Sequence, residues 1–338
     1  MRHKGTSPPL ALTMGEPAGV GGEIMLKAWL VRSGRLPPFF AIDDPERLRR
    51  LADRLGLAVP VHELGEPEEA RSVFATALPV LSQRLAAPAV PGVPEPANAP
   101  AVIAAIDRAV ALAREGRAAA VVTNPVHKKT LAEVGFPHPG HTEYLAALAG
   151  GHTRPVMMLT CPGLRAVPVT VHLPLRKAVA SLSAEAVDHC GRVTWAALKQ
   201  DFGIHEPRLA VAALNPHAGE DGTLGREEEL IIRPAVEALR AEGIEVERPL
   251  PADSLFRPST RRAFDAVLCM YHDQALIPVK MLDFERGVNV TLGLPFVRTS
   301  PDHGTALDLA GKGKAFATSL VAALKLAAEM ARRRRARG

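Results

Sequence analysis

At 338 residues the chain is too long for one small hydrophobic core and suits two lobes or one large α/β unit. Hydrophobic residues make up 47% and charged residues 23%, an ordinary globular profile, while aromatics at 4% argue against stacking surfaces for single-stranded nucleic acid. The net charge of +5 is matched by Arg332, Arg333, Arg334, Arg335 and Arg337 at the far end, so the body of the chain is balanced and little supports a nucleic-acid or membrane role.

Residues 10–14 read as a short strand, followed by a glycine-rich turn over 15–22 and a helix over 22–30. Such a turn is either structural or a means of bringing backbone N–H groups to an anion. It lacks both the G-x-G-x-x-G spacing and the Walker lysine, so neither nucleotide fingerprint applies. Residues 39–42 form a second strand, and Pro45 opens a helix that runs to residue 55. The proline-rich stretch 88–100 is an exposed connector, followed by a helix over 101–114 and a strand over 118–123. Gly140-His141-Thr142-Glu143 precedes a helical run over 144–148. Thr142 either caps that helix or, with His141, faces a phosphate.

Residues 155–159 and 167–171 are paired strands, the second ending at His172. An amphipathic helix spans 183–202, a strand over 209–214 leads to Asn215-Pro216-His217, and a helix covers 227–242. The apolar run 266–271 is one buried strand, followed at once by His272-Asp273-Gln274. A helix over 315–335 closes the chain, its arginines suiting the negative end of the helix dipole. Cys161, Cys190 and Cys269 are far apart without a C-x-x-C pair, which speaks against a disulfide framework or a cysteine-rich zinc site. With no secretory leader pattern and no apolar run near 18 residues, a cytoplasmic protein is expected.

Three histidines share one position: His172, His217 and His272 each stand at the downstream end of an apolar strand. Each alone is either a hydrogen-bonded structural residue or a ligand. Together they favour a metal site, since imidazole ligates zinc and similar ions and three protein ligands leave a position open for substrate. Lys280 and Arg298, with Asn289, either bind carboxylate or phosphate or form ion pairs with Asp283, Glu285 and Asp302. Asp253, Asp273 and Asp302 are candidates for proton handling or positioning; Asp253, Asp273 and Lys280 form the candidate catalytic set.

The strings TMGEPAGVGGE, TNPVHKKTL, GHTEYLA, VHLPL, ALNPHAGEDGTLGREE, PADSLF, YHDQALIPVK and VNVTLGLPFVRTSPDHGTALDLAG are spread from residue 13 to residue 311. With them the chain resembles the 4-hydroxythreonine-4-phosphate dehydrogenases of pyridoxal phosphate biosynthesis, the PdxA family. The resemblance implies a two-lobed α/β/α fold similar to isocitrate and isopropylmalate dehydrogenases, without a classical Rossmann fingerprint. Residues 1–135 and 300–338 would form a first α/β lobe on the cofactor side, and 136–299 a second on the metal, substrate and dimer side. It implies NAD or NADP and one divalent metal per site (zinc, magnesium, cobalt or manganese) on His172, His217 and His272. Substrate contacts would fall on His141, Thr142, Lys280, Asn289 and Arg298, in a homodimer whose metal site is shared between subunits.

The implied activity is oxidation of 4-phosphooxy-L-threonine to 2-amino-3-oxo-4-(phosphooxy)butanoate, which decarboxylates to 3-amino-2-oxopropyl phosphate. The alternatives are a paralogous dehydrogenase of 4-phosphothreonate or 4-phosphoerythronate, and a non-catalytic protein that binds metal or a phosphate ester. The density of acids and bases around the histidines speaks against the latter. The family pattern leads one to expect aspartate at Glu16 and proline at Gly22.

Overall fold

The computed structural model describes residues 7–34, 36–138, 140–150 and 153–337. Two compact units emerge, residues 1–153 with 294–332 and residues 154–293 with 333–338. The expected division at 135/136 and 299/300 lies elsewhere because Leu145, Leu294 and Phe296 are all buried in the first unit's core.

In the first unit the strands are β1 (Leu10–Thr13), β2 (Phe39–Asp43), β3 (Val61–Leu64), β4 (Leu78–Ser82), β5 (Val121–Thr123) and β12 (Arg298–Pro301). They run in the order β3-β4-β2-β1-β5-β12, every neighbouring pair parallel. Strands covered on both faces read as continuous apolar runs, and β1 is buried at every position. Helix α1 (Gly21–Leu30) follows the glycine-rich turn. Helix α2 (Pro45–Leu55) has the sequence-expected bounds for local reasons: Asp44 accepts from the N–H groups of Glu46 and Arg47, Pro45 sits in the first turn, and Gly56 closes the helix at φ 63°. Helix α3 (Ala99–Arg114) lays Ala105, Ile106 and Ala109 into the core.

A buried ion pair holds α2 to the glycine-rich turn. Arg47 donates to both carboxylate oxygens of Asp43, at 2.9 and 2.6 Å, and to the Pro17 carbonyl at 2.8 Å. A Cβ at Gly22 would stand 2.8 Å from Leu51 and 3.0 Å from the Arg47 guanidinium. The glycine found where the family pattern leads one to expect proline therefore accommodates that arginine.

The second unit has β6 (Val156–Cys161), β7 (Leu164–Pro168), β8 (Arg208–Ala212), β9 (Glu245–Leu250), β10 (Ala266–Cys269) and β11 (Val288–Leu292), in the order β11-β6-β7-β10-β8-β9. Pairing is antiparallel for β11 with β6 and β6 with β7, and parallel from β7 onward. The expected strand over 167–171 lies earlier, at β7, because Pro162-Gly163, with Gly163 at φ 87°, makes a tight turn directly after β6. Beyond Pro168 the chain still follows β10, Val169 N–H donating to the Cys269 carbonyl at 2.7 Å.

Helix α4 (His141–Leu148) belongs to the first unit. In the second, Ser183 caps α5 (Ala184–Gln200), and a π-helical turn, Glu228–Ile232, leads into α6 (Arg233–Ala241). His272 opens α7 (His272–Leu282) instead of standing in a loop. At the end of α8 (Thr318–Arg337), Arg334 is no loose cation: it donates to Asp201, which is 1% exposed, with Nη2 2.8 Å from Oδ2. The side chain of Arg337 lies outside the described residues. Cys161, Cys190 and Cys269 are free and buried, and burial raises their thiols, Cys161 to about 11 and Cys190 to about 12. Among the described residues no helix is long and apolar enough to cross a membrane.

Removing Arg47 would leave the Asp43 carboxylate buried without its counter-ion. Arg47→Ala is expected to destabilise the protein by about 3–5 kcal/mol, read from denaturant midpoints. A loss below about 1 kcal/mol would show that the pair does not hold the turn.

Candidate active site

Strands β7, β10 and β8 are parallel neighbours, so their carboxyl ends lie on one edge of the second unit. The chain beyond them carries His172, His272 and His217. The His172 and His272 rings stand 5.5 Å apart, centroid to centroid. His272 Nδ1 lies 2.7 Å from Asp273 Oδ1. A carboxylate only accepts, so Nδ1 carries the proton and Nε2 is left as the ligating nitrogen. His217 is exposed and starts a separate turn. Among the described residues no group of three or more His, Cys, Asp or Glu side chains is gathered closely enough to hold a metal ion.

The backbone at these histidines is unusual. His172 has φ 49°, and His217, Ala218, Gly219, Glu220 and Asp221 form a left-handed turn with φ between 43° and 81°. A left-handed conformation costs an L-residue about 1–2 kcal/mol, so something must hold the turn. Glu228 does. Its carboxylate, 4% exposed, accepts from the N–H groups of Leu214 and Asn215 at 2.8 and 2.7 Å and from Asn215 Nδ2 at 2.9 Å. Asn215 Nδ2 also donates to Glu227 at 2.7 Å. Gly219 is required beneath it, since a Cβ there would lie 2.8 Å from Glu228 Oε2. The sequence predicts only a helix at Glu228, and the adjacent Glu227-Glu228 pair is its one signal of a further role.

In the first unit His141 and Thr142 occupy the first turn of α4. Gly140 is the N-cap residue and no side chain caps the helix, which removes the capping reading of Thr142. Leu145 anchors α4 in the core, and the Tyr144 hydroxyl donates to Asp107 on α3. His141 keeps some surface, but its Nε2 is buried without a hydrogen-bond partner. Burial, followed by the positive charges of Arg298 and Lys128, pushes the imidazole down to about 3, so it is neutral at ordinary pH. Arg298, on β12 and 3% exposed, donates from Nη2 to Thr123 Oγ1 at 2.6 Å. Burial lowers its guanidinium to about 10. Lys128 was visible in the sequence only as half of a lysine pair after a strand.

The remaining residues are dispersed. In the second unit Asn289, on β11, has a buried Oδ1 without a hydrogen-bond partner. Lys280, on α7, has Nζ 4.9 Å from the centre of the Phe284 ring. Asp283 pairs with Arg286 at 2.6 Å. Asp253 and Asp273 are exposed, and in the first unit the Asp302 N–H donates to Ser319 Oγ at 3.0 Å.

Imidazoles past the ends of parallel strands, and a guanidinium buried near a neutral histidine, define an α/β protein of the class that binds small ligands at strand termini. Residues 36–327 match the family model described as "Pyridoxal phosphate biosynthetic protein PdxA", and the chain belongs to that family. It is 55% identical over 332 residues to the 4-hydroxythreonine-4-phosphate dehydrogenase of Methylorubrum populi, covering 96% of this chain and 95% of that one. The enzyme of the same name from Caulobacter vibrioides is 54% identical over 334 residues, covering 97% and 99%. The crystal structure of 4-hydroxythreonine-4-phosphate dehydrogenase from Klebsiella pneumoniae matches with a TM-score of 0.86 at 37% identity, covering 96% of this chain and all of that one.

The neutral His141 makes stability depend on pH. Below the ordinary value of 6.5 the unfolded chain takes up a proton that the folded protein refuses until about pH 3, so stability falls as pH drops through that window. Denaturant midpoints at pH 7 and pH 4.5 should show a smaller loss for His141→Asn than for the parent. Equal losses would remove His141 as the cause.

Proposed function

We propose that this chain catalyses the NAD(P)-dependent oxidation of 4-phosphooxy-L-threonine to 2-amino-3-oxo-4-(phosphooxy)butanoate. That product loses CO₂ to give 3-amino-2-oxopropyl phosphate, a precursor of pyridoxine 5'-phosphate. The names of the relatives support the reaction, and one observation ties it to this chain's chemistry. Arg298 and Lys128 set a positive field at a buried, neutral imidazole, an environment that a phosphate monoester would offset. His141, Thr142, Lys280, Asn289 and Arg298 are the proposed substrate contacts. We assign the cofactor to the first unit, and the metal and dimer contacts to the second.

His172, His217 and His272 are the proposed ligands of a divalent ion: zinc, magnesium, cobalt or manganese. The donor chemistry fits, because two imidazoles stand 5.5 Å apart and one has its Nδ1 engaged by a carboxylate. Left-handed backbone at His172 and His217 supports a functional role, since such strain persists where surrounding structure enforces it. The set would be completed in a homodimer, one subunit's ligands joined by its partner's. The exposed apolar side chains Leu175, Ile277, Met281 (81%) and Phe284 (71%) give the second unit a surface suited to such a partner. A divalent ion held there would supply Lewis acidity at the substrate hydroxyl, and a nicotinamide cofactor would supply the hydride acceptor.

The chain's own groups do the rest. Lys280 and Asp253 are the proposed acceptors of the hydroxyl proton as hydride leaves the same carbon. Asp273 acts through His272, holding its tautomer. In the following step the C–CO₂ bond breaks, its electrons pass to the adjacent carbonyl, where a cation such as Lys280 would stabilise the developing charge, and the resulting enolate takes up a proton at the carbon that lost CO₂.

The test is an NADH-absorbance assay offering 4-phosphooxy-L-threonine and 4-phosphothreonate in parallel. The first is expected to be preferred by at least about tenfold in kcat/KM, the worth of one charged contact. A reversed preference would assign the chain to the sugar-acid branch. Arg298→Ala should lower kcat/KM by at least about tenfold while the fold is retained. Chelation should abolish hydride transfer without changing the circular dichroism; full turnover by enzyme shown metal-free by elemental analysis would sink the metal assignment.

A further inference from the structure

The first unit contains a cavity of about 300 Å³ that none of these roles occupies. Its walls come from stretches far apart in sequence: Pro17 and Gly19 from the glycine-rich turn, Pro88 and Pro91 from the connector, and Gly311 from the segment after β12. Backbone hydrogen bonds lock these stretches together. Gly92 N–H donates to the Ala18 carbonyl at 2.8 Å, and Val20 N–H to the Thr305 carbonyl at 3.0 Å. Gly311, at φ +67°, makes the closure possible, since a Cβ there would lie 2.7 Å from Pro91 and 3.3 Å from Arg54 Nε.

Helix α2 supplies the last wall. Arg47, Arg50, Leu51 and Arg54 all line the cavity, and their spacing of three, four and seven puts them on one helical face. Asp43 neutralises Arg47. Arg50 and Arg54 have no carboxylate or hydrogen-bond partner among the described residues. The cavity thus offers two uncompensated guanidiniums above walls of proline rings. Guanidinium pairs phosphate oxygens bidentately and also stacks on aromatic faces. The volume is at the low end for small-molecule sites, enough for half of a dinucleotide.

We infer that this cavity receives the phosphate-bearing adenosine half of the nicotinamide cofactor, with Arg50 and Arg54 on its phosphates. The inference rests on the dehydrogenase reading above. Gly22 contributes indirectly, because a Cβ there would press on the Leu51 and Arg47 side chains that line the cavity.

The experiment is calorimetric titration of the parent and of Arg50→Gln/Arg54→Gln with 5'-ADP, 2',5'-ADP, adenosine and pyrophosphate, without substrate. At matched salt and unchanged melting temperature, the double variant should bind at least one ADP isomer about tenfold more weakly, as for loss of one charged contact. The isomer affected identifies the phosphate that the arginines meet. Adenosine should be indifferent to the substitutions. If the double variant melts early, Arg54→Gln alone carries the same expectation. Equal affinities of parent and variant for both isomers, or pyrophosphate bound as tightly as ADP, would overturn the assignment. An active parent whose variant keeps its KM for NAD and NADP would overturn it too, while leaving the proposed reaction standing. A parent inactive on 4-phosphooxy-L-threonine, whose variant still loses ADP affinity, would fail the proposed substrate and keep the cavity.

Discussion

Parallel pairing of β7, β10 and β8 obliges three strands to finish at one edge of the second unit. Backbone leaving a buried parallel strand has lost its ladder partners, so the next few residues must satisfy their own polar groups or offer them to a ligand. His172, His217 and His272 all lie in such segments. Their placement along one edge follows from strand direction and not from spacing along the chain. His272 continues into a helix whose second residue, Asp273, fixes its tautomer. His172 bends away after a proline, and His217 enters a left-handed turn.

The two units solve a similar problem with opposite charges. In the second, a buried carboxylate, Glu228, collects three donors from a turn that would otherwise relax. In the first, a buried guanidinium, Arg47, joins the end of β2 to the turn after β1. Either group would be expensive to bury unpaired, and each is satisfied on several sides. By contrast, the Nε2 of His141 and the Oδ1 of Asn289 are buried without a hydrogen-bond partner.

Elements with local causes were legible in the sequence. Helix α2 carries its start in Asp44-Pro45 and its stop in Gly56, and its bounds were read without error. The buried strands announced themselves as apolar runs. Features whose causes are non-local were not readable. The hairpin at Pro162-Gly163 moved a strand by three residues at its start, because a turn signal competed with an apolar run that continued past it. The break between units shifted because Leu145 packs into the first core, which no local pattern reveals. At the candidate site the three histidines stand out in the sequence by residue type and by place in the strand order. Glu228 escaped because its partners are mostly backbone groups many residues away.

The three buried thiols have a practical meaning. Reactivity toward electrophiles belongs to the thiolate, and all three cysteines are enclosed with their ionisation suppressed. The native protein is therefore expected to react only slowly with maleimide dyes. A single cysteine placed on the outer face of α7, at Met281 for instance, would accept a fluorophore alone. Its emission would then report whatever comes to cover that surface, with no need to strip the protein of its own cysteines first.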